Sequence, residues 1–168
     1  MTSAQEIYTT EYPELKHIVK GILPYGLSTL AGRPKIGKSW LCLQLAYAVS
    51  TGMPFLGRST EKSSVLYFAL EDGERRLQSR MIKQGWDFSA HPPQIEFKTS
   101  FGCLENPTKL QLFLKMSEQF DLTIVDTVMR IFPHDKGGNA KIGKFYSSLQ
   151  EHAQKHEKAV LLVDHHRQ

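Results

Sequence analysis

The sequence predicts an α/β protein, a three-layer sandwich with a mostly parallel sheet. From Gly26 onward, short runs of β-branched and aromatic residues alternate with longer segments of helical spacing. Strands that follow one another through helices pair in parallel, by right-handed crossovers lying on the faces of the sheet. The length of 168 residues, with 40% hydrophobic and 23% charged side chains, suits one domain with a core of that kind.

Taken in order, Tyr12 to Lys20 has the spacing of a short amphipathic helix, broken by Gly21, Pro24 and Gly26. Residues 1–25 therefore read as an N-terminal segment with a short helix, and residues 26–168 as the core. Leu27 to Ala31 is a short buried strand. Lys38 to Val49 is apolar nearly all round, as in a helix packed between the sheet and an outer layer. Gly52, Pro54 and Gly57 make a loop before the strand Ser64 to Leu70. Glu74 to Gln84 is a charged helix closed by Gly85, with Asp72 as its candidate N-cap. Gln94 to Lys98 is a strand. Asn106 caps the next helix, which has Pro107 in its first turn and runs to about Glu118. Leu122 to Asp126 is the following strand, Phe132 to Gly143 a mobile polar loop, Lys144 to His156 a helix and Ala159 to Val163 the last strand.

Composition excludes little. No run approaches the ~18 apolar residues of a membrane span, and the polar N-terminus lacks the apolar region of a signal peptide. A soluble, cytoplasmic protein without membrane contact is the expectation. Cys42 and Cys103 lack metal-ligand spacing and read as buried thiols. A net charge of +4 is compatible with a polyanionic partner without requiring one.

The most specific signal is GRPKIGKS, Gly32 to Ser39, which fits G-x-x-x-x-G-K-[ST] between a strand and a helix. In such a loop, backbone N–H groups converge on phosphates where bulky side chains do not intrude, hence Gly32 and Gly37. The helix N-terminus adds partial positive charge. Gly32, Arg33, Pro34, Lys35, Ile36, Gly37, Lys38, Ser39 and Trp40 are therefore the candidate ATP-binding residues. Lys38 would reach the β- and γ-phosphates, and the Ser39 hydroxyl would help hold Mg²⁺, a hard ion that prefers oxygen. Asp126 ends an apolar strand at the same sheet edge and is the second candidate metal residue, the Walker-B aspartate.

With these residues in place, the chain resembles the RecA-type P-loop ATPases, and within them the hexameric plasmid replicative helicases of the RepA type and related mobile-element ATPases. GLSTLAGRPKIGKSW, VLYFALEDGERR, DLTIVDTVMR and VLLVDHHRQ carry the resemblance. It implies that the catalytic glutamate is Glu71, at the end of the strand after the phosphate-loop helix, where it could orient a water for attack on the γ-phosphate. It also implies a γ-phosphate sensor after the last strand, with His166 favoured and His165 the alternate. Single-stranded DNA as partner and a homo-oligomer, up to a hexameric ring, follow from the same resemblance. Arg130, Lys136, Lys141 and Lys144 are the basic residues placed to track a phosphate backbone, or simply to be solvated. Arg75, Arg76 and Arg80 could meet a neighbouring subunit or pair with Glu74. Cores of this family continue past the histidine-bearing strand to an arginine finger, so the chain, ending at Gln168, reads as truncated on its C-terminal side.

The leading expectation is thus the ATPase core of a DNA-dependent motor. The alternative is an ATP-dependent binding or regulatory module in replication or recombination with little turnover. A small-molecule phosphotransferase would need a lid arginine cluster, which the sequence does not display. His152 and His156 stand four apart on a helix, as metal ligands do, but without a third ligand in the pattern, and a solvated helix face accounts for them.

Overall fold

The computed structural model describes residues 1–89, 92–132 and 139–165, with side chains from residue 143 in the last stretch. In chain order the elements are α1 (Ala4–Thr9), β1 (His17–Val19), β2 (Leu23–Pro24), β3 (Gly26–Gly32), α2 (Lys38–Thr51), β4 (Val65–Ala69) and α3 (Glu74–Lys83). There follow β5 (Ile95–Lys98), α4 (Pro107–Ser117), β6 (Leu122–Asp126), α5 (Val128–Ile131), α6 (Asn139–Lys155) and β7 (Ala159–His165). The main sheet has the order β3-β7-β6-β4-β5, with every pair parallel.

Alternation along the strands decides the layers. Val65, Tyr67, Ala69, Leu122, Ile124, Leu161 and Val163 share one core with Leu43, Ala46 and Val49 of α2 and Leu77 of α3. Their neighbours Leu66, Phe68, Val125, Val160 and Leu162 share the other with Phe113 of α4, Ile131 of α5 and Phe145, Leu149 and Ala153 of α6. Successive strand side chains point to opposite faces, so one sheet supplies both cores. The expected three-layer sandwich is present, and α2 is buried on nearly all sides, as its apolar pattern required.

Local signals place most element ends. Asn106 accepts from the amides of Thr108 and Lys109, with Pro107 at the first position of α4. Gly85, at φ 70°, follows the end of α3. At the amino edge of the sheet, Asp121 takes the Ser64 amide at 3.0 Å and hydroxyl at 2.8 Å on one oxygen, and the Lys158 ammonium at 3.1 Å on the other. Partial burial raises the pKa of this carboxyl, but the bonds from Ser64 and Lys158 outweigh it and leave the pKa below its ordinary value.

Several expectations need correction. Tyr12 to Lys20 is not a helix: Ile18 and Val19 are both fully buried in a strand that pairs with β2, and the Glu61 amide donates to Ile18. Two adjacent buried β-branched residues suit an edge hairpin better than one helix face. The helix near the N-terminus is α1, with a capping box between Ser3 and Glu6 and no buried residue. Val128 and Ile131 anchor the extra turn α5, and α6 begins at Asn139, inside the segment read as loop. Asp72 does not cap α3; Gly73 occupies that position without a side-chain bond. Cys42 is buried but Cys103 is exposed. His152 is buried rather than solvated.

Asp121→Ala should destabilise the chain by about 1–3 kcal/mol, because it strands the Ser64 amide in a half-buried place. A group with a lowered folded pKa stabilises above its unfolded pKa and loses that contribution as pH falls through the folded value. Urea unfolding at neutral and acid pH should therefore show the penalty shrinking in acid.

Candidate functional site

The carboxyl ends of β3, β4, β6 and β7 open onto one cleft of about 520 Å³. Parallel register puts them there: Gly32 lies opposite His165, Ala69 opposite Asp126, and Asp126 opposite Val163. Open α/β sheets place ligands at this edge because helix N-termini and strand-end loops gather there.

The loop from Gly32 to Gly37 leads into α2. Gly37 sits at φ 99°, in the left-handed region that favours glycine, and no side chain caps the helix. The first-turn amides of α2 are thus left to an acceptor from outside the chain. At Gly32 an added Cβ would press within 2.7 Å of Ile36 Cδ1. Arg33, Pro34, Lys35 and Ile36 are exposed along the loop, and Trp40 stands partly exposed at the cleft.

Lys38 is 93% buried, its relative exposure being 7%. Its Nζ donates to the carbonyls of Gly32 at 2.8 Å and Arg33 at 2.9 Å, and meets His165 Nδ1 at 3.0 Å. These partners match the three donors of an ammonium group, so the lysine folds back onto its own loop. For that contact to be a hydrogen bond, His165 must accept on Nδ1 and carry its proton on Nε2. That Nε2 lies 3.7 Å from Glu71 Oε1.

Glu71 is held from two further directions. Thr127 Oγ1 donates to Oε1 at 3.2 Å, and Arg130 Nε lies 3.6 Å from the same oxygen. Thr127 follows Asp126 across a cis peptide.

Asp126 has only 3% of its surface exposed. Tyr67 donates to Oδ2 at 3.0 Å, the Ser39 hydroxyl lies beside the carboxyl, and Oδ1 has no hydrogen-bond partner among the described residues. Burial raises its pKa; the bonds from Ser39 and Tyr67 oppose the shift, while the charges of Glu71 and Asp72 add to it. A buried carboxylate with a free oxygen beside a serine hydroxyl is a donor set that suits a hard divalent cation such as Mg²⁺.

Sequence reasoning missed part of this cleft. Asp72 is buried and binds Arg76 at 3.1 Å and Arg80 as well, so these arginines pair with Asp72 instead of Glu74. Charge-assisted bonds of this kind are stronger than a helix cap, which explains where Asp72 turns. Arg80 also lies 5.5 Å from the Trp40 ring centroid. Arg76, Arg80 and Arg130 thus line the cleft together, although only the i,i+4 spacing of Arg76 from Asp72 hinted at it. Tyr67 could have been found from its position on the α2 side of β4. Of the histidines, His165 is the one placed here; His166, Lys136 and the Lys141 side chain lie outside the described residues.

A parallel sheet with a phosphate loop before its first crossover helix defines a P-loop protein, a nucleotide-binding class, and comparison with known proteins narrows it to an ATPase of the RecA type. The chain belongs to the AAA domain family, whose model matches residues 2–168. It is also similar to the DNA repair protein RadA of Synechocystis sp., at 29% identity over 90 residues. That match spans 53% of this chain and 16% of the relative, so the chain covers a small part of that protein's length. Among the described residues, no helix is long and apolar enough to cross a membrane.

Asp126→Asn should raise the melting temperature of the nucleotide-free chain at neutral pH. A carboxyl whose folded pKa is raised contributes most to stability below its unfolded pKa and loses this as pH rises through the folded value. The advantage of the amide should therefore grow from acid to neutral pH, at about 2–4 °C per kcal/mol. The same variant should lose the extra thermal stabilisation that ATP gains from added Mg²⁺.

Proposed function

We propose that this chain is the ATP-hydrolysing core of a DNA-dependent motor, similar in kind to replicative helicases. The observation that carries the proposal is the contact line Lys38–His165–Glu71, which joins the phosphate-loop lysine to a carboxylate on the far side of the cleft. A group at Glu71 with that placement is suited to orient a water toward the γ-phosphate bound at Lys38. His165, set between the two, is suited to sense whether that phosphate is present. His166 retains the same proposed role only as its neighbour in sequence.

The proposed division of work follows from each residue's partners. The amides from Gly32 to Ser39 bind the phosphates. Lys38 exchanges its bonds to the Gly32 and Arg33 carbonyls for phosphate oxygens as the nucleotide enters. Ser39 and Asp126 would hold Mg²⁺, which would supply neutralisation of the phosphate charge there. Thr127 fixes the Glu71 carboxylate, and Tyr67 fixes that of Asp126. Trp40 from α2 and the Asp72-bound arginines from α3 would border the phosphates.

The DNA dependence rests on Arg130, which is largely exposed and lies next to Glu71, and on the exposed Lys144 in the second turn of α6, with Lys136 and Lys141 contributing by sequence position. The similarity to a DNA repair protein agrees with a nucleic-acid partner. Assembly into a homo-oligomer, up to a hexameric ring, and a cytoplasmic location belong to the same proposal. A second reading is favoured by one observation: Glu71 is engaged at once by Thr127, Arg130 and His165. A carboxylate restrained in this way suits a switch module that binds ATP and turns over little.

Mg²⁺-dependent ATP hydrolysis, measured with and without single-stranded DNA, separates the two. The motor predicts stimulation by DNA and a loss of about 10²–10⁴-fold in Glu71→Gln with nucleotide binding retained. Background hydrolysis with intact binding would instead support the switch. In that event Arg130→Ala should raise basal hydrolysis by freeing Glu71, and an unchanged rate would exclude restraint by Arg130.

A further inference from the structure

Far from the cleft, at the amino edge of the sheet, the C-terminal ends of α4 and α6 bring Glu118, His152 and His156 together. One ligand atom from each residue can be chosen so that all lie within 4.8 Å of one another. Glu118 Oε1 is 3.5 Å from His156 Nε2 and 4.0 Å from His152 Nδ1. The imidazole rings are 4.7 Å apart at their centroids, one helical turn from each other. Glu118, the C-cap of α4, supplies the third ligand that the sequence pattern lacked.

We propose that Glu118, His152 and His156 bind a borderline divalent cation of the zinc class. Two imidazoles and one carboxylate form a donor set that such ions take, and bonds of about 2.0–2.2 Å set neighbouring ligand atoms about 3.4 Å apart in a tetrahedral centre. The Glu118–His156 distance of 3.5 Å is close to that edge length; the Glu118–His152 distance of 4.0 Å is longer than the edge and too long for a direct hydrogen bond. His152 is buried and turns Nδ1 toward Glu118; among the described residues its other ring nitrogen, Nε2, has no hydrogen-bond partner, and neither has the buried Oγ of Ser117, which precedes Glu118 in the chain. The negative dipole ends of α4 and α6 meet at this point, which further favours a cation despite the nearby Lys155. Since Glu118 and His156 are partly exposed, the fourth position faces solvent. The bound ion would tie α4 to α6 at the edge of the sheet opposite the phosphate loop.

The test is titration of the metal-stripped full chain with Zn²⁺ against a chromophoric chelator, together with Co²⁺ absorption to read coordination number. Glu118→Gln and His156→Ala are the informative variants, because His152 is buried and its removal risks misfolding. The site predicts one equivalent of Zn²⁺ at micromolar concentration, a tetrahedral Co²⁺ spectrum, and affinity weakened at least about tenfold in each variant. Nucleotide binding should be retained in both. Absence of uptake at micromolar zinc, or uptake equally tight in both variants, would overturn the proposal.

Discussion

The parallel register of β3, β7, β6 and β4 is the constraint on which the cleft depends. Gly32 faces His165 and Ala69 faces Asp126 because the strands begin and end in step. A slip of one residue would turn every side chain to the other face of the sheet. Tyr67 would then leave Asp126, and the apolar residues of β4 would exchange cores. Hydrophobic alternation thus fixes the geometry of the cleft, although most of the residues that enforce it lie in the two cores. The sheet tolerates no such slip because both of its faces are buried.

Charge is managed at this edge by pairing. Lys38 is satisfied by two loop carbonyls and an imidazole, and Asp72 by two guanidinium groups. Asp126 is the exception, with one oxygen bonded and the other not. Leaving a buried polar group unmatched is costly, and the cost falls where a bound cation would relieve it. The unmatched oxygen lies at the same sheet edge as the phosphate loop.

Much of this was legible in the sequence. Strand runs, the Asn106–Pro107 helix start and the phosphate loop are local signals, and local signals survive folding. The loop, Glu71 and Asp126 could be assigned to one edge because βα units force the strand ends together. The misreadings share a cause in tertiary context. Ile18 and Val19 satisfy a helical period as well as a strand, and the segment at Ser59 to Glu61 decided between them through backbone hydrogen bonds. Asp72 has the chemistry of a cap, but two arginines on the following helix compete for it. Glu118 stands too far along the chain from His152 for any spacing rule to join them; only the packing of α4 beside α6 does so.

The separation of the two cores bears on mechanical communication. Tyr67 reaches Asp126 from the α2 side, while Phe68, the next residue, packs at 5.0 Å between ring centroids against Phe113 of α4. A single peptide bond of β4 therefore spans the thickness of the sheet. Displacement of the outer helix need travel no farther than that bond to reach the Asp126 carboxylate, and the chain requires no long relay between its two helical layers.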